Sequence, residues 1–152
     1  MLKTGSKAPA IKGVDQNNET IQLKDYAGKK VALYFYPKDD TPGCTAQACN
    51  LRDNISLLKK KGIEIIGISV DDVKKHKKFE EKYELPFRLI ADTEKIIVEN
   101  YEVWGEKKFM GKTYMGISRT TFLINETGKI DAIIEKVDTK EHTAQILEVW
   151  GL

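Results

Sequence analysis

The sequence has few cysteines, no long apolar run and almost no net charge, and each shortage argues against a class of protein. Two cysteines in 152 residues are too few for a disulfide-stapled secreted domain. No stretch approaches the length of a membrane span, and the first residues carry no apolar signal core. A formal net charge of +2 gives no reason to expect a nucleic acid partner. We therefore expect a globular protein of the reducing cytoplasm whose cysteines have a redox use.

The patterns that are present predict an α/β protein. No linker, repeat or low-complexity tract interrupts residues 1–152, so we expect a single domain with its own core. After a hairpin-like lead-in, strands are predicted at residues 31–36, 63–70, 88–91, 120–124 and 130–135, and helices from 42 to about 61 and at 71–83, 94–101 and 141–149. Strands that alternate with helices, followed by a hairpin and a last helix, indicate a thioredoxin-like fold with a central mixed sheet flanked by helices.

The most informative segment connects a predicted strand to a predicted helix. Residues 37–44 read Pro-Lys-Asp-Asp-Thr-Pro-Gly-Cys, and Cys49 follows five positions later. Thr41 is a good N-cap and Pro42 suits the first helical position, which places Cys44 in the first turn. Unpaired backbone N–H groups and the positive end of the helix dipole favour a thiolate there. The pattern predicts a reactive thiol; the alternative is a buried structural cysteine.

Two separated motifs resemble those of a known family. Pro37, Thr41 and Cys44 match the active-site pattern of the peroxiredoxins, specifically of the subgroup named for bacterioferritin comigratory protein (the PrxQ type). Residues 116–124, Gly-Ile-Ser-Arg-Thr-Thr-Phe-Leu-Ile, resemble the family segment that carries an active-site arginine, which is Arg119 here. Residues 67–71, 85–87 and 103–107 are also similar, so the resemblance extends over most of the chain.

The resemblance implies a thiol peroxidase that needs no bound cofactor or metal. Cys44 would attack a peroxide, become a sulfenic acid and then form a disulfide with Cys49, the resolving thiol. Arg119 would supply a permanent cation with several donors, Thr41 a hydroxyl that both accepts and donates, and Pro37 a wall against bulk water. A thioredoxin-like protein would reduce the disulfide, and we expect a monomer.

Helix geometry adds a condition to this disulfide. Five residues along a helix separate two Cα atoms by roughly 8–9 Å, whereas a disulfide tolerates at most about 7 Å. Cys44 and Cys49 therefore cannot join while the helix is intact, and its first turns must unwind. Gly43, a poor helix former, lies in that segment. The alternative is that Cys49 is an inert packed residue in an enzyme with one working cysteine.

Gln47 departs from the family pattern, because relatives commonly carry Glu at this position. Glutamine keeps the hydrogen-bonding capacity but lacks the charge, which leaves Arg119 less neutralised. The thiolate could be favoured further, or the arginine could be held more loosely. The sequence leaves both outcomes open.

Other candidates receive simpler interpretations. A metal site built from Cys44, Cys49, His76 and His142 lacks the usual ligand spacing. We expect His76 to pack in the core, while the sequence offers His142 no partner. Trp104, Phe109 and Met110 lie in a predicted loop and either rim the site or pack. A general thiol–disulfide oxidoreductase would need a Cys-x-x-Cys motif, and a non-catalytic binding protein would have no use for an activated thiolate.

Overall fold

The computed structural model describes residues 2–152 as a central mixed sheet flanked by helices. The elements are β1 (Lys12–Val14), β2 (Thr20–Gln22), β3 (Lys30–Phe35), α1 (Pro42–Asp53), α2 (Ile55–Lys60), β4 (Ile63–Ser69), α3 (Val73–Tyr83), β5 (Arg88–Ala91), α4 (Ile96–Asn100), β6 (Trp104–Phe109), β7 (Lys112–Ile117), β8 (Thr120–Ile124), β9 (Ile130–Ile134) and α5 (His142–Trp150). A short 3-10 helix, Leu23–Tyr26, follows the β1–β2 hairpin. Within the described residues, no helix is long and apolar enough to cross a membrane.

The central sheet has five strands in the order β5-β4-β3-β8-β9. β3 runs parallel to β4 and antiparallel to β8, and Phe35 at its end is paired with Thr120 at the start of β8. Because β8 starts at the edge where β3 ends, the residues that follow β3 and those that precede β8 meet at one edge of the sheet. This topology places the start of α1 beside Arg119.

Alternate residues of β3 enter two different cores, as the period of a strand requires. Val31, Leu33 and Phe35 lie in the core that also receives the buried residues of α4. Ala32 and Tyr34, and Tyr36 directly after the strand, lie in the other core, together with buried residues of α1, α2, α3 and α5. Cys44 belongs to this second core.

The predicted helix from 42 to about 61 is wrong in one respect, because it is two helices. α1 ends at Asp53 and α2 begins at Ile55. The Asn54 side chain donates to the Asn50 carbonyl (2.8 Å), which in a continuous helix would accept from the Asn54 backbone N–H. The Asn54 N–H donates to Leu51 instead, so the helix is interrupted.

The predicted loop that carries Trp104, Phe109 and Met110 is also wrong, because it is a hairpin. β6 and β7 pair antiparallel from Trp104–Ile117 to Phe109–Lys112. Met110 and Gly111, at its tip, both have positive φ angles (50° and 79°), as a tight two-residue hairpin turn requires. Phe109 and Met110 are 67% and 87% exposed, so neither packs in the core, whereas Trp104 packs against the first core.

Candidate active site

The start of α1 has the register that the sequence predicts. Thr41 is the N-cap residue in an extended conformation, Pro42 is the first helical residue, and Cys44 lies in the first turn. The Thr41 hydroxyl does not cap the helix, however; it donates to the Lys38 carbonyl (2.9 Å) and so closes the loop before α1. Thr41 and Pro37 are both half-buried in this loop.

Arg119 joins Cys44 to Gln47. Its Nη2 donates to the Cys44 sulfur (3.4 Å), and its Nη1 donates to Gln47 Oε1 (2.7 Å). Cys44 is only 1% exposed and Gln47 is fully buried, whereas Arg119 is half-buried, so both contacts are partly shielded from water. A Cβ atom at Gly43 would lie 3.2 Å from Arg119 Nη2, and glycine therefore leaves room for the guanidinium. The two terminal nitrogens of the planar guanidinium thus donate to two different partners at once.

These contacts bear on the two alternatives for Gln47. The short bond to Arg119 shows that the amide holds the guanidinium in place, so a loosely held arginine is not what the structure contains. The hydrogen-bond partners of the guanidinium are a thiol and an amide, and neither supplies a carboxylate charge. Within residues 2–152, Gln47 Nε2 is buried and has no hydrogen-bond partner.

Asp39 anchors the loop that carries Pro37 and Thr41, and sequence reasoning missed it. Its N–H donates to Asp71 Oδ2 (2.8 Å), and its carboxylate accepts from Tyr36 (2.6 Å) and pairs with His76 Nδ1 (2.6 Å). His76 Nε2 lies 2.9 Å from the Ile90 carbonyl, which can only accept, so Nε2 donates there. His76 is fully buried, which confirms the prediction that it packs. The sequence signal that could have identified this anchor is the occurrence of polar residues directly after β3 and β4.

His142 has partners that the sequence could not supply. Thr121 Oγ1 lies 2.8 Å from Nε2, and Gln145 Oε1 lies 2.9 Å from Nδ1. Burial, together with the nearby charge of Arg119, lowers the pKa of His142 to about 4. A neutral ring donates through Nδ1 and accepts from the Thr121 hydroxyl, so both bonds suit the uncharged form.

Metal-capable side chains gather in one place among residues 2–152, and it is not the set considered from sequence. Asp39, Asp71 and His76 are buried and offer ligand atoms within 4.8 Å of one another. Those atoms already bond to one another or to neighbouring groups, since Asp71 Oδ2 accepts from the Ser69 hydroxyl (2.8 Å) as well as from the backbone N–H of Asp39. We interpret the cluster as a loop anchor.

Cys49 lies on the same continuous helix as Cys44, and both thiols are free. Cys44 is buried and Cys49 half-buried. The next residue, Asn50, is tied to the start of α5: its Nδ2 donates to the Lys140 carbonyl (2.9 Å) and its Oδ1 accepts from the Thr143 N–H (2.8 Å). The helix is thus anchored on the C-terminal side of Cys49.

Comparisons with known proteins identify the family of this chain. Residues 4–133 match the model of the AhpC/TSA family. A putative peroxiredoxin bcp from Coxiella burnetii is 48% identical over 146 residues, covering 96% of this chain and 97% of that protein. Peroxiredoxin Bcp from Escherichia coli is 47% identical, with 96% and 94% covered. A structure of peroxiredoxin Q from Xanthomonas campestris has a TM-score of 0.86 at 31% identity, covering 93% of this chain and 89% of that one.

The matched family spans most of the chain, the two relatives named above share nearly half of its residues, and the solved neighbour has the same fold. A buried thiol and a guanidinium are in contact at the start of α1. This chain therefore belongs to the AhpC/TSA family, in its peroxiredoxin Bcp (PrxQ) branch, and is a thiol peroxidase.

Proposed function

We propose that Cys44 is the peroxidatic nucleophile and that Cys49 is the resolving thiol. The observation that carries this proposal is the contact between Arg119 and the Cys44 sulfur at the start of α1. A permanent cation next to the sulfur favours the thiolate, and the helix start adds its dipole in the same direction.

In the first step the Cys44 thiolate attacks one oxygen of the peroxide. The sulfur–oxygen bond forms as the oxygen–oxygen bond breaks, and the departing oxygen takes a proton and leaves as water or an alcohol. Cys44 is then a sulfenic acid. Arg119 stabilises the negative charge that develops on the departing oxygen, and Thr41 and Pro37 border the approach from the loop.

In the second step the Cys49 sulfur attacks the Cys44 sulfur. A disulfide forms and the sulfenic oxygen leaves as water. Both residues lie on α1, where their Cα atoms are roughly 8–9 Å apart, so the segment between them has to unwind. Because Asn50 is hydrogen-bonded to Lys140 and Thr143, we expect Cys49 to stay in place while Cys44 moves.

The remaining properties follow from the family resemblance and the sequence. A thioredoxin-like dithiol protein reduces the disulfide; hydrogen peroxide and organic hydroperoxides are the substrates. The chain acts as a monomeric single-domain enzyme of the cytoplasm, over residues 1–152, without a cofactor, a resident metal or a nucleic acid partner.

A single-turnover experiment with three proteins tests the proposal. Reduced wild type, Cys44→Ser and Cys49→Ser each receive one equivalent of hydrogen peroxide, and free thiols and mass are measured. Wild type should lose both thiols and two hydrogen atoms. Cys49→Ser should gain one oxygen and should overoxidise only when further peroxide is added, and Cys44→Ser should consume no peroxide. Full thioredoxin-linked turnover by Cys49→Ser would show that Cys49 is not the resolving thiol.

A further inference from the structure

Tyr34 is a residue of β3 in the core that α1 packs against. Its side chain is 1% exposed, and among residues 2–152 the hydroxyl oxygen has no hydrogen-bond partner. The ring is fixed in place: it stacks on Tyr36 at 5.3 Å and meets the edge of Phe87 at 6.0 Å between centroids. A Cβ atom at Gly67 would lie 2.9 Å from Tyr34 Cζ, so the backbone of β4 closes the remaining side. The ring cannot swing to find a partner.

The Tyr34 side chain lies in the same core as the inward side of α1. Tyr34 shares its core with Cys44, Ala48 and Leu51, which are the inward residues of that helix. Burial raises the pKa of Tyr34 well above its usual range; the charges of Cys44, Asp39 and Cys49 raise it further and that of Arg119 opposes them. The phenol therefore stays protonated in the core that it shares with Cys44.

An unsatisfied buried hydroxyl favours the conformation in which it becomes hydrated. Burying such a group without a partner destabilises only the closed conformation, because water hydrogen-bonds to the group once the structure around it opens. Gln47 Nε2, a second donor buried in α1 without a partner among the described residues, acts in the same direction. α1 and the core that it packs against thus contain two buried groups without a hydrogen-bond partner among residues 2–152.

We propose that Tyr34 is a positioning residue for disulfide formation: its unpaired hydroxyl destabilises the wound start of α1 and so increases the population in which Cys44 reaches Cys49. This inference rests on the proposed Cys44–Cys49 disulfide. It also has a consequence for damage. The sooner the sulfenic acid is resolved, the shorter the time in which a second peroxide can convert it to sulfinic acid. The hydroxyl therefore protects Cys44 from overoxidation without touching the substrate.

Tyr34→Phe tests the proposal, and Tyr36→Phe is the matched control. Tyr34 lies near the end of β3 and Tyr36 directly follows this strand, and both side chains are in the same core. The Tyr36 hydroxyl, however, donates to Asp39 (2.6 Å). Single-turnover quenching with mass analysis separates peroxide attack from disulfide formation. In Tyr34→Phe, attack should stay within about twofold of wild type while disulfide formation slows about tenfold, and overoxidation should begin at lower peroxide. Tyr36→Phe, which loses a satisfied hydroxyl, should not slow disulfide formation.

Amide exchange of the reduced proteins gives a second measurement that needs no turnover. Exchange of residues 42–49 should slow about tenfold in Tyr34→Phe relative to wild type and should not slow in Tyr36→Phe. Equal disulfide rates and equal exchange in wild type and Tyr34→Phe would overturn the inference. Slower peroxide attack in Tyr34→Phe would also overturn it, because the hydroxyl would then act on the reacting thiol. If wild type itself formed no Cys44–Cys49 disulfide, the proposed function would fail instead.

Discussion

Replacing Arg119 by lysine separates the charge of this residue from its geometry. The guanidinium donates to the Cys44 sulfur and to Gln47 Oε1 at the same time, at 3.4 and 2.7 Å. A lysine ammonium keeps the positive charge but not the planar fork that spans two partners. If it keeps the bond to buried Gln47, it loses the bond to Cys44, and the reverse also holds. The thiolate would retain a nearby cation and lose an oriented donor.

The expected size of the effect follows from that one lost bond. A hydrogen bond to a charged group contributes about 1.5–3 kcal/mol, and every 1.4 kcal/mol changes a rate about tenfold. Peroxide attack should therefore slow by about 10- to 150-fold in Arg119→Lys. Because one partner stays satisfied and the charge remains, the free energy of unfolding should change by less than about 1 kcal/mol.

The assay is the second-order rate constant for hydrogen peroxide with the reduced protein, measured by competition with a peroxidase of known rate. Thermal unfolding runs in parallel. Arg52→Lys is the matched control. Arg52 lies on α1, the helix that carries Cys44, but its side chain bonds to Asp53 and to the Tyr83 carbonyl rather than to a thiol. It should react at the wild-type rate. An Arg119→Lys variant as fast as wild type would refute the role assigned to the guanidinium fork.

Three further predictions concern groups around the site. Gln47→Glu should place a carboxylate beside Arg119 and disfavour the thiolate, so that iodoacetamide alkylation of Cys44 at neutral pH slows about tenfold. The folded-state pKa of His142, about 4 against an ordinary value of 6.5, means that the unfolded state binds its proton first. The stability that neutral His142 contributes is complete above pH 6.5 and is lost as the pH falls toward 4. In denaturant titrations over this range, the free energy of unfolding of His142→Gln should fall by roughly 3 kcal/mol less than that of wild type. In the disulfide form, amide exchange should accelerate at residues 42–49 and should not change in β3. In the disulfide form of Asn50→Ala, the faster exchange should also extend into the start of α5, because the Thr143 N–H loses its hydrogen-bond acceptor.

Each of these predictions has a contradicting result. Unchanged alkylation in Gln47→Glu would mean that the charge at this position does not reach the sulfur. Parallel stability curves for wild type and His142→Gln would place the acid sensitivity in other groups. Identical exchange in the reduced and disulfide forms would show that α1 need not unwind, and confinement to residues 42–49 in Asn50→Ala would show that Asn50 is not the anchor.

Local sequence was sufficient for the features that depend on neighbouring residues. The apolar run before Pro37 is a strand, and Thr41 and Pro42 start the helix where their backbone preferences require. This placed Cys44 in the first turn of α1 without knowledge of any distant residue. The strands Arg88–Ala91 and Thr120–Ile124 were found at their observed bounds for the same reason, since their side chains alone carry the pattern of buried strands. Arg119 needed more, because a single arginine has no local signal and only the surrounding family motif identified it.

Features that depend on partners far along the chain were decided by tertiary structure. The β6–β7 hairpin has mostly exposed side chains rich in lysine and glycine, so it carries no periodic pattern, and only its cross-strand pairing defines it. The Asp39–His76 pair and the His142–Thr121 bond join residues 37 and 21 positions apart. The Tyr34 hydroxyl has no partner among residues 2–152 because β4 and Phe87 hold its ring in the core. Burial and hydrogen bonding are properties of the packed chain, and no window of neighbouring residues contains them.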